Sequence, residues 1–219
     1  MAQAERNAEV GIQMNAQVDA LILAGGRGSR MGGVDKGLQR LNGQALVEHA
    51  LARLRQQAGG RLGAIMVNAN RHLDDYRALG LAVWPDALAD FPGPLAGFLA
   101  GLEHGSRPWL LTVPCDSPRF PLDLLERLAQ AAEREGADLA LALGRDEDGR
   151  LRRQPVFCLL RRELADSLRA YLQGGGRKID DWIGSQRHVA VAFDAPGDDP
   201  RAFYNANTLA ELRALEIGL

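Results

Sequence analysis

The residues best suited to chemistry lie in one glycine-rich run, Leu23-Ala24-Gly25-Gly26-Arg27-Gly28-Ser29-Arg30-Met31-Gly32-Gly33-Val34-Asp35-Lys36, placed directly after the apolar stretch Val18 to Leu23. Glycines carry no Cβ, so their main-chain N–H groups can close on an anion, and a loop that follows a strand presents them at the end of a sheet. Arg30 and Lys36 add a planar fork and a mobile point charge, a combination that suits a triphosphate. Neither familiar phosphate loop is present. Met31 stands where the dinucleotide fingerprint needs its third glycine, and Lys36 lies between Asp35 and Gly37 instead of between Gly and Ser or Thr. A solvated surface loop is the plain alternative; the strand before the run and its two cations weigh against it.

A carboxylate follows the run Leu110 to Cys115 at Asp116, at the tip of what reads as a buried strand and on the same sheet edge as the glycine loop. Magnesium takes one or two carboxylates together with phosphate oxygens and water, so one Asp can suffice once a nucleotide supplies the rest. Capping of the helix that begins near Pro121 is the other reading of Asp116. Asn68 and Asp86 also follow short apolar runs, where side-chain amides and carboxylates can read a base or a ribose; taken singly, each is a common turn residue. The four histidines, His49, His72, His104 and His188, are scattered and read as surface or turn residues, and no Ser-His-Asp or Cys-His set is apparent.

Short Val-, Ile- and Leu-rich runs alternate with longer amphipathic stretches, the pattern of strands sandwiched between helices. Strands are expected at Val18 to Leu23, Ala64 to Val67, Leu81 to Trp84, Trp109 to Val113, Leu139 to Leu143, Pro155 to Leu160 and Val189 to Phe193. Helices are expected at Ala45 to Gln57, Leu95 to Glu103, Pro121 to Arg134, Glu163 to Leu172, Lys178 to Ile183 and Thr208 to Glu216. In the third of these, Leu122, Leu125, Leu128, Ala129 and Ala132 fall on one face. Arg145 to Arg153 reads as a charged turn. Neither a repeat nor a linker interrupts the pattern, so the expected organisation is a disordered extension over residues 1–16 and one α/β domain over 17–219, with a mostly parallel central sheet flanked by helices. Ligands of such sheets sit beyond the carboxyl ends of the strands.

Composition narrows the class further. With 219 residues, of which 46% are hydrophobic, the chain can bury a full core. A formal charge of −2 gives no bulk attraction to nucleic acid or to an anionic membrane, so any anion site must be local. Cys115 and Cys158 lack the spacing of a zinc site and the density of a disulfide scaffold, and read as reduced and cytosolic. Met1 to Ala16 lacks the cationic and apolar regions of a secretory signal, and the best apolar run, Ala137 to Leu143, is too short to span a bilayer and contains Asp138. A soluble cytoplasmic protein is the expectation.

Taken together, Leu23-Ala24-Gly25-Gly26, Arg30-Met31-Gly32-Gly33-Val34-Asp35-Lys36-Gly37, Asn68-Ala69-Asn70-Arg71, Asp90-Phe91-Pro92-Gly93-Pro94-Leu95-Ala96-Gly97, Pro114-Cys115-Asp116 and Tyr204-Asn205-Ala206-Asn207-Thr208 resemble the molybdenum cofactor guanylyltransferases, in order and spacing, from Val18 to Leu215. The resemblance implies a Rossmann-like nucleotidyltransferase fold and transfer of GMP from GTP to the terminal phosphate of molybdopterin, with release of pyrophosphate. It also implies that Leu23, Ala24, Gly25, Gly26, Lys36, Asn68, Asp86 and Asp116 contact the guanine nucleotide and that Asp116 holds Mg2+. Catalysis would fall to Arg30, Lys36 and Asp116, while Gly93, Gly97, Asn205 and Asn207 would face molybdopterin. Molybdoenzymes, their chaperones or other cofactor-biosynthesis proteins would be the transient partners.

The chain departs from the family at Gln154-Pro155-Val156, where Gln154 takes the place of a His. Close rivals are a cytidylyltransferase or a sugar-phosphate nucleotidyltransferase of the same fold; Gly25-Gly26, in place of the Ala-Gly associated with cytidylyl relatives, favours guanine. A silent nucleotide-binding module would have no use for Asp116.

Overall fold

The computed structural model describes residues 18–24, 35–57, 62–86, 88, 93–146, 148–206 and 211. The expected N-terminal extension and all of the expected helix from Thr208 to Glu216 except Glu211 lie outside the described residues.

Three crossovers build the first half of the sheet. Strand β1 (Val18–Leu23) leads, beyond the small hairpin of β2 (Arg40–Leu41) and β3 (Gln44–Ala45), into helix α1 (Leu46–Arg55) and strand β4 (Leu62–Asn68). Helix α2 (Leu73–Arg77) and strand β5 (Ala82–Trp84) follow, then helix α3 (Pro94–His104) and strand β6 (Trp109–Pro114). The second half comprises helix α4 (Leu124–Glu135), strands β7 (Leu139–Arg145) and β8 (Leu151–Arg161), helices α5 (Leu164–Gln173) and α6 (Ile179–Gly184), and strand β9 (His188–Ala192). The main sheet has seven strands in the order β5-β4-β1-β6-β8-β7-β9. β8 alone runs antiparallel to its neighbours, so the sheet is mostly parallel, as expected.

The near-continuous apolar sequences of β1 and β6 follow from burial on both faces. Val18, Ala20 and Ile22 of β1 point into one core layer with α1, α2 and α4, whereas Leu21 points into the other with α3, α5 and α6. β1 and β6 alternate in this way because successive side chains on a strand face opposite sides. Having travelled outward from β1 to β4 to β5, the chain returns through α3 to β6 on the far side of β1. The direction of winding therefore reverses between β1 and β6, and the crevice beyond the carboxyl ends at such a switch point is where open α/β sheets take their ligands.

Several expectations need correction. Leu122 is 41% exposed because α4 begins only at Leu124, and Leu124 takes the buried position instead. The charged turn expected from Arg145 to Arg153 is shorter than that: Arg145 ends β7 and Leu151 to Arg153 begin β8, because ladder hydrogen bonds are made by the main chain whatever the side chains. Between them the register slips, Leu141 facing Cys158 while Ala142 faces Gln154. Pro155 lies in this bulge, where its missing N–H costs no ladder bond, and Thr112 donates its hydroxyl to the freed carbonyl of Val156 at 2.7 Å.

At the opposite edge of the sheet from the crevice, the buried Asp19 carboxylate stitches three segments together. It accepts from Ala64 N at 2.8 Å, Ser106 N at 2.7 Å, Arg107 N at 3.0 Å and the Ser106 hydroxyl at 3.2 Å. Replacing Asp19 with Ala strands these main-chain donors, and we expect a loss of about 3 kcal/mol in unfolding free energy, measured by urea denaturation. Because Asp19 is remote from the crevice, nucleotide affinity of the folded fraction should stay unchanged.

Candidate active site

The carboxyl ends of four adjacent strands are tied edge to edge by bonds that run one residue past the ladders. Ala24 N donates to Asn68 O at 2.8 Å, Cys115 N to Leu23 O at 3.1 Å and Ala69 N to Trp84 O at 3.1 Å. Leu23, Ala24, Asn68, Asp86 and Asp116 are thereby gathered along one edge, spanning β5, β4, β1 and β6. Gly25, Gly26 and Arg30, and Asn207 at the other end of the chain, lie outside the described residues.

Lys36 reaches this edge from the end of the glycine-rich segment, and its Nζ stands 3.2 Å from Asp116 Oδ2, both side chains being about four-fifths buried, at 21% and 18% exposure. The backbone under Lys36 is held on both sides. Asp35 Oδ1 accepts from Gly37 N at 3.1 Å, closing a turn around Lys36, and Lys36 O accepts from Gln39 N at 3.0 Å. Gly37 O in turn accepts from Val47 N at 3.0 Å, and Glu48 reaches back to Ala45 N at 2.7 Å, which ties the segment to the first turn of α1.

Asp35 itself is buried and also accepts the hydroxyl of Tyr76, at 2.5 Å. Tyr76 comes from α2, an element too short to show helical periodicity, and is fully buried. Burial, and then its bond to Asp35, push the Tyr76 phenol above its ordinary range and keep it neutral. Gly37 is required here: a Cβ would run into the Tyr76 hydroxyl and crowd Ala24. Tyr76 and Asp35 thus prop the lysine from below, a contribution missed at the level of sequence.

A second cluster forms at the ends of β4 and β5. Asn68 Nδ2 donates to Trp84 O at 3.1 Å and to Asp86 Oδ1 at 3.0 Å. Asn70 Nδ2 donates to Asp86 Oδ2 at 2.8 Å, and Asp86 N returns a bond to Asn70 Oδ1 at 2.8 Å. Asn70 belongs to a motif noted in the sequence, yet an exposed Asn in a turn gave no separate signal. Gly97, inside α3, is buried with its Hα edge toward Asn68 and Leu23; a Cβ there would strike both, so the helix packs this closely only with glycine. Gly93 precedes α3 at φ +128, a conformation open to glycine, and Pro94 begins the helix.

The C-terminal segment is bonded to the turn that follows β6. Ala206 N donates to Asp116 O at 2.8 Å, and the buried Ser117 hydroxyl bonds Asn205 Oδ1. Asn205 is therefore beside the Asp116 loop. Asp116 does not cap α4, whose N-cap is Asp123. Cys115 is buried just before Asp116, and burial, with the neighbouring Asp116 and Asp35 charges, pushes its thiol well above the usual range; it is a poor ligand or nucleophile. Both cysteines are free. His49 bonds Leu41 O at 2.8 Å, His72 pairs with Asp75, His104 stacks on Trp84 and His188 bonds Gln186 O at 3.0 Å, in keeping with structural roles.

For Mg2+, the donor set fits: Asp116 offers a hard oxygen at the crevice, and among the described residues no group of three or more His, Cys, Asp or Glu forms a closed cage. Such a site leaves most of the coordination to phosphate and water. Among the described residues no helix is long and apolar enough to cross a membrane.

A cation paired with a carboxylate at the switch point of a parallel sheet, beside an amide-held carboxylate, suits nucleotide chemistry, and the fold and site together define a nucleotidyltransferase. Residues 20–215 match the family described as MobA-like NTP transferase domain, and the chain belongs to that family. It is 62% identical over 204 residues, 91% of its length and 95% of the relative's, to the molybdenum cofactor guanylyltransferase of Acidovorax ebreus. To the protein of the same name from Albidiferax ferrireducens it is 60% identical over 203 residues, again 91% of this chain and 95% of the relative. Among solved structures, the molybdopterin-guanine dinucleotide biosynthesis protein A of Archaeoglobus fulgidus superposes with a TM-score of 0.71 at 21% identity, over 91% of this chain and 97% of that one. The 4-diphosphocytidyl-2C-methyl-D-erythritol synthase of Anaerococcus prevotii gives 0.69 at 11% identity, over 92% and 95%. At such identities these two structures speak for the fold.

Cys115 and Cys158 should resist Ellman's reagent at about pH 8, near the ordinary thiol pKa of about 8.5, in the native protein and react fully once it is unfolded in urea. Fast reaction of Cys115 in the folded state would contradict its burial.

Proposed function

We propose that this protein transfers GMP from GTP to the terminal phosphate of molybdopterin, giving the guanine dinucleotide form of the cofactor and pyrophosphate. The names of its relatives, at 60% and 62% identity over nine-tenths of the chain, support the reaction. The observation that carries the assignment of roles is the 3.2 Å pair of Lys36 and Asp116 at the switch point. Leu23, Ala24, Gly25 and Gly26 take the role of nucleotide contacts, and Arg30 joins Lys36 in neutralising the phosphates. Asp116 binds Mg2+, which when present neutralises charge on the phosphates. Gly93, Gly97, Asn205 and Asn207 serve the acceptor side, Gly97 acting through the close packing of α3.

Both reactants are anions, so the protein's task is to bring them together and to balance charge. A terminal phosphate of the acceptor is largely ionised near neutral pH and needs no strong base. It attacks the α-phosphorus of GTP; the new P–O bond forms as the bond to the β-phosphate oxygen breaks, and pyrophosphate carries away the electron pair. Lys36 leaves Asp116 for the phosphates as the nucleotide enters. Asp86 reads the base: guanine presents two adjacent donors, N1–H and the 2-amino group, to a carboxylate that only accepts, whereas cytosine and adenine mix donor and acceptor there. The reaction is cytoplasmic, and the product passes to molybdoenzymes, their chaperones or other proteins of cofactor biosynthesis.

Pyrophosphate release with molybdopterin, magnesium and either GTP, CTP or ATP tests this reading, and release with GTP alone is expected. Turnover with CTP alone would move the protein to the cytidylyl branch. Lys36→Ala should lower kcat by about 10²–10³-fold, the scale of one preorganised charge-stabilising group; full turnover by that variant would remove Lys36 from catalysis.

A further inference from the structure

We infer that Asn70 is a specificity-positioning residue: it sets the Asp86 carboxylate so that the site distinguishes guanine from bases lacking the 2-amino group. The inference rests on the reading of Asp86 as the base-recognising carboxylate. Asn70 and Asp86 make a closed two-bond ring, Asp86 N to Asn70 Oδ1 and Asn70 Nδ2 to Asp86 Oδ2, each at 2.8 Å. The amide orientation is not arbitrary. A main-chain N–H can only donate, so Oδ1 of Asn70 must face it, and the amide nitrogen is left for the carboxylate. Asn68 is fixed by the same logic, since Trp84 O can only accept, at 3.1 Å, and the second hydrogen of Nδ2 goes to Asp86 Oδ1 at 3.0 Å.

Each carboxylate oxygen of Asp86 therefore accepts one amide hydrogen and keeps acceptor capacity for another donor. Two fixed oxygens side by side can receive two adjacent donors on one base edge; a rotating carboxylate would hold one at a time and pay the entropy of ordering on binding. Asn68 is buried and bound to the β5 carbonyl, so it holds one oxygen from the sheet side. Asn70 is exposed and holds the other oxygen from the solvent side. Among the described residues no other hydrogen bond reaches Asp86 Oδ2, so loss of Asn70 frees carboxylate rotation on the solvent side.

Equilibrium binding of magnesium–GTP and magnesium–ITP by calorimetry tests the inference, because ITP differs from GTP only in lacking the 2-amino group. Wild type should prefer GTP. Asn70→Ala should reduce that preference about tenfold, the loss of one hydrogen bond to a charged group, with ITP affinity within about twofold of wild type. Asn70→Asp keeps an acceptor for Asp86 N but removes the donor to Oδ2, so it should lose the preference as well; it serves also if the Ala variant proves unstable. An unchanged GTP-to-ITP ratio in both variants, or equal losses for the two nucleotides, overturns the positioning role. Asp86→Asn separates the two levels: if it loses the preference while the Asn70 variants keep it, only the inference fails. If Asp86→Asn also keeps it, the reading of Asp86 as the base-recognising group falls too.

Discussion

The parallel pairing of β1 with β6, with Leu23 opposite Pro114, is the constraint on which the site depends. It places the first residue of the glycine-rich segment and the carboxylate-bearing turn after β6 at the same level of the sheet, one strand apart. Cys115 N to Leu23 O and Ala24 N to Asn68 O carry the alignment beyond the strand ends. A slip of one residue would turn Ile22 and Val113 to the wrong face and move Asp116 away from Lys36, so burial of both faces of β1 and β6 fixes the register of the chemistry.

Around that alignment, each functional group has its own support drawn from a different part of the chain. Lys36 stands on the Asp35–Tyr76 bond and on the start of α1; Asp86 is held between Asn68 and Asn70; the Asp116 turn is clasped by the C-terminal segment through Ala206 and Asn205. Aromatic packing of Phe203 against Phe157 and Phe193 carries that segment across the sheet toward β6. The fold is shared with the 4-diphosphocytidyl-2C-methyl-D-erythritol synthase of Anaerococcus prevotii at 11% identity, so the fold by itself does not specify the substrates.

Much of this was legible in the sequence. β1, β4, β6 and the long helices carry strong apolar periods, and the strand-end positions of Asn68, Asp86 and Asp116 follow from them. What escaped has physical causes. The hairpin of β2 and β3 has two residues per strand and α2 has five, too few for a period to register. The start of α4 is masked in the sequence because Leu122 extends an apolar pattern that the helix itself does not use. The reversal of β8 and its bulge at Pro155 depend on long-range pairing. Tyr76, Asp35 and Asn70 act by holding other residues, and such a role shows only when the partner is in view.

In the proposed reaction the α-phosphoryl group of GTP, with its nucleoside, ends on the acceptor. Incubating the protein with molybdopterin, magnesium and GTP labelled either at the α- or at the γ-phosphate tests it most directly. α-Label is expected in the dinucleotide product and γ-label only in pyrophosphate. Transfer of γ-label to the acceptor, or release of single phosphate without a dinucleotide, would contradict it.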